Sequence, residues 1–460
     1  MVKPMFDIEQ LDSRAQYWSE KMGKRIPKIQ FTLPRGRVKQ VQGTLIEAEI
    51  PSAKIGDLCE IFVVNNGINE SILGEVIGFT DSAALLSALN PPDGVAFGSE
   101  VAPLGCKHQI RTDQPMNGQV YDGMGRELGN PENGIFSRRA GSFGNTTPVV
   151  CDAVAATEKP RISEPLLTGI KPIDSLLTIG IGQRLGLFAG AGCGKTTLLA
   201  SLARGSSADA VVFALIGERG RELKEFLDHE LDDELKAKTI LVCATSDRSS
   251  MERSRAAFTA TAIAEGLRDQ GKNVLLLVDS LTRFARAQRE IGLAAGEPPA
   301  KGGFPPSVYT MLPRLIERAG KTYKGSITAI YTILMEGDSM SDPIADEAKS
   351  LLDGHIVLSR KLAEKAHYPA IDVLMSLSRT MGNVAEDDHT KLASHVRGLL
   401  ANYKELELLI KLGEYQPGNN AESDDAVQRS PALMKFLQQG TREMFTLGDM
   451  LKHMSRLAYD

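Results

Sequence analysis

One short stretch of the sequence, Ala189–Thr196, has the residue types needed to hold a phosphate group. It reads AGAGCGKT and lies between an apolar run that predicts a strand and a segment that predicts a helix. Glycines permit backbone angles that are closed to other residues, so successive N–H groups can turn toward one anion at the positive end of a helix. The lysine would reach the outer phosphates, and the threonine hydroxyl would hold Mg²⁺. The sequence therefore predicts a loop that binds a nucleoside triphosphate.

This stretch departs from the common phosphate-loop pattern at one position, where Ala189 replaces the first glycine. We interpret the change as tolerated, because that residue begins the turn and does not touch phosphate. The loop and the first helical residues after it are the predicted phosphate contacts: Gly190, Ala191, Gly192, Cys193, Gly194, Lys195, Thr196 and Thr197.

Two acidic residues end predicted strands and are candidates for chemistry at the phosphates. Asp279 ends the apolar run Asn273–Asp279, and in a chain with a phosphate loop it is the expected partner of a metal ion. Glu218 follows the predicted strand over 210–216, where a carboxylate can align a water molecule with the γ-phosphorus. The segment Glu218–Glu222 reads ERGRE, which is also typical of a surface loop whose charges pair with one another, so its residues alone leave both interpretations open.

Composition narrows the classes of partner and compartment. The formal net charge of −5 and the pI near 5.9 argue against nucleic acid as the main partner, because phosphate neutralisation needs clustered Lys and Arg. The five cysteines are dispersed and form no metal-like pair, which predicts reduced thiols and a cytoplasmic location. No apolar run approaches the roughly 20 residues of a membrane span, so any membrane association is expected to be peripheral.

The pattern along the chain changes three times. Apolar residues over Met5–Met22 recur at helical spacing, which fits either a helix packed on its own domain or one that docks on another protein. Short alternating runs over 42–79 predict a small antiparallel β-barrel with a structural or oligomer-forming role. Buried strands over 210–216, 239–244, 274–278, 327–334 and 355–358, with helices such as 251–270 between them, predict a parallel sheet. Helices over 392–412 and 430–457 predict a helical C-terminal domain.

The order of motifs resembles the superfamily of rotary and secretion ATPases. The phosphate loop is followed by GERGRE at 217–222, the strand-ending Asp279, YPAID at 368–372 and SLSR at 376–379. In detail the chain most resembles the ATPases of bacterial type III protein secretion, and the resemblance extends from Gly43 to Gly418. It implies an α/β fold with a RecA-like P-loop NTPase core and parallel sheet, an N-terminal β-barrel and a C-terminal helical domain. The expected divisions are 1–28 for a docking helix, 29–103 for the barrel, 104–382 for the ATPase domain and 383–460 for the helical domain.

The resemblance also implies roles for single residues. Glu218 matches the catalytic glutamate and Arg219 the neighbouring arginine that helps to hold it, whereas Tyr368 matches the aromatic residue on which adenine stacks. Arg379 matches the arginine finger that enters the neighbouring subunit's site. Without the resemblance, a core tyrosine and a solvated arginine are the plainer interpretations of the last two. ATP and Mg²⁺ are the implied cofactors, with Thr196 and Asp279 holding the metal.

One chain that carries both Glu218 and Arg379 suits a ring of identical subunits, so a homohexamer is expected. The resemblance implies a stator protein at the N-terminal region and a coiled-coil central stalk protein, toward which the Pro- and Gly-rich segment Glu297–Pro306 would face. It also implies chaperone–substrate complexes as partners and peripheral association with the export gate at the cytoplasmic face of the inner membrane, with no nucleic acid.

Four alternatives remain open at this point. The system served could be flagellar instead of an injectisome, and the chain could be the catalytic subunit of an ion-translocating rotary ATPase. A ring-shaped RNA translocase would need an RNA-binding surface on its barrel. A non-catalytic nucleotide-binding subunit would have no need of the carboxylate at Glu218.

Overall fold

The computed structural model describes Lys21 and residues 34–65, 68–129, 134–137, 146–335 and 342–459. The predicted helix over Met5–Met22 lies outside these residues, apart from Lys21. Among the helices of the described ranges, none combines the length and the apolar character that crossing a membrane requires.

Six antiparallel strands close into a barrel at residues 36–107, in the order β1-β2-β5-β4-β3-β6. The strands are β1 (Gly36–Gln42), β2 (Leu45–Glu49), β3 (Asp57–Asn65), β4 (Ile68–Phe79), β5 (Ala84–Ala88) and β6 (Glu100–Lys107). Their inward side chains form a core around Ile46, Ile61, Val76, Leu86 and Val101, all of them fully buried. The predicted barrel is confirmed.

Four short strands follow the barrel: β7 (Gln109–Arg111), β8 (Val120–Asp122), β9 (Phe136–Ser137) and β10 (Thr146–Pro148). Three of them make a small sheet in the order β10-β7-β9, whereas β8 joins the edge of the large sheet described next. The segment around Tyr121 is therefore part of the core domain as well as a connection to it.

The central domain alternates strands with helices. Its elements are β11 (Pro165–Leu166), α1 (Lys171–Leu176), β12 (Ile179–Gly180), β13 (Arg184–Ala189), α2 (Lys195–Gly205), β14 (Ala210–Ile216), α3 (Gly220–Glu225), α4 (Asp233–Lys238), β15 (Thr239–Ala244), α5 (Ser250–Asp269), β16 (Asn273–Asp279), α6 (Leu281–Ala294), α7 (Pro306–Ile316), β17 (Gly320–Lys321), β18 (Ser326–Leu334), α8 (Pro343–Leu351), β19 (Gly354–Leu358), α9 (Arg360–Glu364) and β20 (Leu377–Ser378).

Six of these strands and β8 form the predicted parallel sheet, in the order β19-β13-β18-β16-β14-β15-β8. β20 extends it antiparallel to β19, and β17 pairs antiparallel with β18. Every residue of β14 is buried because both faces are covered. Val212 and Ala214 pack into one core with α5, whereas Val211 and Phe213 pack into the other with α2. The carboxyl ends of β13, β14 and β16 therefore meet at one edge.

The C-terminal part is helical, with α10 (Met381–Val384), α11 (Asp387–Leu412), α12 (Ala421–Phe436) and α13 (Leu447–Tyr459). The prediction of one helix over 430–457 is wrong, because the chain leaves the helical conformation between α12 and α13. There the Gln439 amide donates to the carbonyl of Tyr368 at 2.9 Å, and the Ser201 hydroxyl donates to the carbonyl of Thr441 at 3.1 Å. Tertiary hydrogen bonds to the central domain thus replace helical ones in this connection.

Candidate active site

The phosphate loop lies between the end of β13 and the start of α2, as the sequence predicts. Gly192 and Gly194 have φ angles of +79° and +80°, which other residues rarely adopt. Gly194 is the N-cap of α2 and makes no side-chain capping bond, and the amide groups of a first helical turn have no partner within the helix. The loop therefore offers unpaired donors to an anion, which is the arrangement that a phosphate requires.

Lys195 lies between the carboxylates of Asp279, at the end of β16, and Glu218, two residues after β14. Its Nζ is 2.5 Å from Oδ1 of Asp279 and 3.7 Å from Oε1 of Glu218. Asp279 is 2% exposed and also accepts a hydrogen bond from the Thr332 hydroxyl at 2.7 Å. A largely buried lysine and two carboxylates thus converge at the carboxyl edge of the sheet, beside the phosphate loop.

The carboxyl group of Glu218 has a pKa above its usual range. Burial is the largest cause, followed by a hydrogen bond shared with Glu222 and by the negative charge of Asp279. The positive charges of Lys195 and Arg283 oppose these effects. A raised pKa brings a carboxylate nearer to the proton affinity that a general base needs at neutral pH.

Arg283 holds Glu218 in this structure. Its Nη1 lies 2.7 Å from Oε2 of Glu218, and both side chains are largely buried. Gly217 leaves room for it, because a Cβ there would lie 3.2 Å from Cδ of Arg283. Arg219 has a side chain that is 76% exposed, and it pairs with Glu222 at 3.4 Å. The role that the resemblance gives Arg219 stays a prediction.

Arg283 lies outside the motifs of the sequence, although its position relative to Asp279 is a signal. Ser280 caps α6 with a side-chain hydrogen bond from the amide of Arg283, which fixes the first turn of the helix. Arg283 therefore follows the strand-ending Asp279 by about one helical turn, and its side chain starts near the same edge of the sheet.

Two cavities flank the phosphate loop. One, of about 320 Å³, is lined by Gly192, Cys193, Gly194, Thr197 and Tyr368 together with the connection between α12 and α13. The Tyr368 ring is close to the loop, because a Cβ on Gly194 would lie 3.6 Å from it. The contribution of the C-terminal connection was not expected from the sequence, since it depends on a contact between distant segments.

The second cavity, of about 460 Å³, lies on the other side of the loop and brings Thr196, Glu218 and Asp279 together. Thr196 is exposed to it, and the carboxylate of Asp279 is held by the Thr332 hydroxyl. A hydroxyl and a carboxylate oxygen beside a phosphate loop are ligands that Mg²⁺ accepts, so the residues present fit that ion. Among the residues described by the structure, no group of three or more His, Cys, Asp or Glu makes a metal site by itself.

The structure separates Arg379 from the other predicted site residues. It follows β20, whose Ser378 pairs with Gly354 at the start of β19. The phosphate loop follows the other end of the strands, because Ala189 at the end of β13 pairs with Leu358 at the end of β19. Gly354 and Leu358 are four residues apart along β19, which corresponds to about 13 Å. Arg379 is exposed, and among the described residues its guanidinium has no ion-pair partner.

Three family models match the chain, one over the barrel, one over the core domain and one over the helical part. Residues 38–105 match the beta-barrel domain of the ATP synthase alpha/beta family, and residues 169–378 match the nucleotide-binding domain of that family. Residues 385–456 match the C-terminal domain of the type III secretion ATPase EscN. The fold and the phosphate loop therefore define a nucleotide-binding ATPase of the ATP synthase alpha/beta family.

Individual relatives narrow the family further. A type 3 secretion system ATPase of Pseudomonas syringae pv. tomato is 54% identical over 451 residues, which are 97% of this chain and 99% of that one. The flagellum-specific ATP synthase of Bacillus subtilis is 43% identical over 92% of this chain and 94% of its own length. The assembled ATPase EscN of enteropathogenic E. coli has a TM-score of 0.83 at 43% identity, with 92% and 100% of the two chains covered. The chain belongs to the type III secretion system ATPases.

Proposed function

We propose that this chain hydrolyses Mg-ATP in a homohexameric ring and that the hydrolysis energises protein export through a type III secretion apparatus. The observation that carries the proposal is the convergence of Lys195, Asp279 and Glu218 beside the phosphate loop. A nucleotide-binding subunit without activity has no need of a buried carboxylate with a raised pKa at that position. The presence of Glu218 at this position therefore favours an enzyme over a regulatory nucleotide-binding subunit.

Each residue has a task that its surroundings support. The amide groups of the loop and Lys195 bind the phosphates, and Lys195 neutralises part of their charge. Thr196 and Asp279 would hold Mg²⁺, which when bound supplies further charge neutralisation at the phosphates. Glu218 orients a water molecule toward the γ-phosphorus and accepts its proton, while Arg283 keeps the carboxylate in place. Tyr368 offers a flat ring to the adenine base.

Arg379 completes the site of a neighbouring subunit. Its position at the opposite edge of the sheet prevents a role at its own phosphate loop. A guanidinium placed against the transferred phosphoryl group stabilises the charge of the transition state. A ring of identical subunits gives every site one loop and one finger, which supports a homohexamer over a rotary ATPase with two subunit types.

One solved relative supports a central stalk as a further partner. EscN has been solved as an assembled ATPase and in complex with its central stalk EscO. We infer a corresponding stalk for this chain, with Glu297–Pro306 facing it, a stator protein at the N-terminal region, and a peripheral location at the cytoplasmic face of the inner membrane beside the export gate. The work done by hydrolysis is the release of chaperones and the unfolding of exported proteins. Higher identity to the Pseudomonas ATPase than to the Bacillus flagellar protein favours an injectisome over flagellar export.

A mixing experiment tests the shared site. Subunits with Glu218→Ala and subunits with Arg379→Ala, each inactive alone, are co-expressed with different tags and purified as mixed rings. The proposal expects ATPase activity to return, because an intact site can form where the finger of the first variant meets the loop of the second. Mixed rings that remain as inactive as the parents would refute a finger acting between subunits.

A further inference from the structure

The backbone that carries Arg379 is fixed by its own chain on both sides. The Arg379 amide donates to the carbonyl of Asp353 at 3.0 Å. The residue before it, Ser378, donates its hydroxyl to the carbonyl of Thr178 at 2.8 Å. The guanidinium makes no ion pair within the described ranges, so the backbone is the part of this residue that the subunit holds.

Gln183 is the buried centre of this arrangement. Its side-chain Nε2 donates to the carbonyl of Asp353 at 3.0 Å and to the hydroxyl of Ser378 at 3.2 Å. Its Oε1 accepts from the hydroxyl of Thr380 at 2.5 Å and from the amide of Gly180 at 2.9 Å. Both amide hydrogens and both acceptor sites of the side chain are thus occupied, and Gln183 is fully buried. It contacts the residues immediately before and after Arg379.

Asp353 is held just as firmly. Its carboxylate forms a two-point ion pair with Arg184, with distances of 3.0 Å to Nε and 3.1 Å to Nη2. Its amide donates to the carbonyl of Arg184 at 2.8 Å. Arg184 makes a second ion pair with Glu317 at 2.5 Å and is the first residue of β13. The carbonyl that accepts a hydrogen bond from the Arg379 amide therefore belongs to a residue whose side chain and backbone amide are both held by Arg184.

We propose that Gln183 and Asp353 are positioning residues that present Arg379 to the nucleotide site of the neighbouring subunit. The proposal rests on the function proposed above for Arg379. A finger must reach the phosphates of another molecule with a correct approach, and a displacement of about 1 Å can cost about 100-fold in rate. The guanidinium of Arg379 has no ion-pair partner among the described residues of its own subunit. Its approach to the neighbouring site therefore depends on the backbone that Gln183 and Asp353 hold.

Mixed rings can separate positioning of the finger from a general structural effect. The substitution Gln183→Leu is added either to the Glu218→Ala subunit, which donates only the finger, or to the Arg379→Ala subunit, which donates only the phosphate loop. We expect the first placement to lower kcat by about 10-fold or more with little change in the KM for ATP. The second placement should leave the recovered activity within about twofold.

The two placements give distinct outcomes. An equal loss in both would mean that Gln183 supports the subunit or its own loop, and this would overturn the proposal. No loss in either placement would overturn it as well. If the parental mixture of Glu218→Ala and Arg379→Ala recovers no activity at all, Arg379 does not act in the neighbouring subunit's site. That result refutes the proposed function of Arg379, and it is distinct from a failure of the positioning proposal.

A milder variant covers the case in which Gln183→Leu fails to fold. Thr380→Val removes one hydrogen bond to Gln183 and keeps the shape of the side chain. It should lower kcat several-fold in the finger-donating subunit only. Thr261→Val is the matched control, because it removes a buried hydroxyl bonded to the carbonyl of Ala257 within α5, away from the finger. A control that loses activity with the same dependence on placement would contradict the positioning role.

Discussion

Replacing Arg283 with glutamine removes the positive charge that lies against the carboxylate of Glu218. The two groups are 2.7 Å apart, with 26% of the arginine side chain and 14% of the glutamate side chain exposed. Arg283 lowers the pKa of Glu218, against the larger effect of burial. Without it, the pKa of Glu218 rises further, and the carboxylate becomes protonated at a higher pH.

The size of this effect follows from the distance and the exposure. An opposite charge at close range shifts a carboxyl pKa by about 1–3. Lys195 remains beside Glu218, and solvent reaches Arg283. The pKa of Glu218 should therefore rise in Arg283→Gln, because the ionised form loses one of its two neighbouring positive charges.

The pH dependence of kcat/KM reports this change, because its acidic limb follows the base of the free enzyme. Only the ionised glutamate accepts a proton from water, so a higher pKa of Glu218 should move the acidic limb of Arg283→Gln to higher pH. Arg219→Gln is the matched control, since Arg219 is exposed and pairs with Glu222. If the limb moves in Arg219→Gln and stays in place in Arg283→Gln, then Arg219 holds the catalytic carboxylate and our assignment is incorrect.

Three further substitutions probe other parts of the molecule. Glu218→Gln should lower kcat by about 100-fold or more while nucleotide binding persists, and a loss of binding equal to the loss of rate would argue against a base. Tyr368→Ala should weaken ATP binding by about 10-fold with Tyr368→Phe near the parent, as measured with a fluorescent nucleotide; equal losses would contradict stacking. Glu265→Gln leaves the fully buried Arg318 without its charge partner, whose Oε1 lies 3.1 Å from Nε of Arg318. The free energy of unfolding, measured with denaturant, should fall by about 3–5 kcal/mol, and an unchanged midpoint would contradict this.

The parts of the candidate site that the sequence predicts and the structure places beside one another depend on local sequence. The phosphate loop needs glycines, lysine and threonine in one short run, and Asp279 ends an apolar strand, so both features are visible without tertiary structure. The parallel sheet follows from buried strands that alternate with helices. The structure has these strands within one residue of the predicted limits at each end.

The parts that the sequence did not reveal depend on contacts between distant segments. Which arginine pairs with Glu218 is decided by the direction of α6 relative to β14, whereas the resemblance points to the adjacent Arg219. The break between α12 and α13 arises because Gln439 bonds to Tyr368, 71 residues away in the chain. The apolar pattern continues through that segment and therefore gives no sign of it.

The dependence of ATPase activity on assembly tests the central claim most directly. The purified chain is diluted through the range in which its mass, measured in solution, falls from the ring to the single subunit, and the rate per subunit is recorded at each step. Because each site needs Arg379 from a second copy, the rate should fall in parallel with the fraction of assembled protein. Full activity in single subunits would contradict the account.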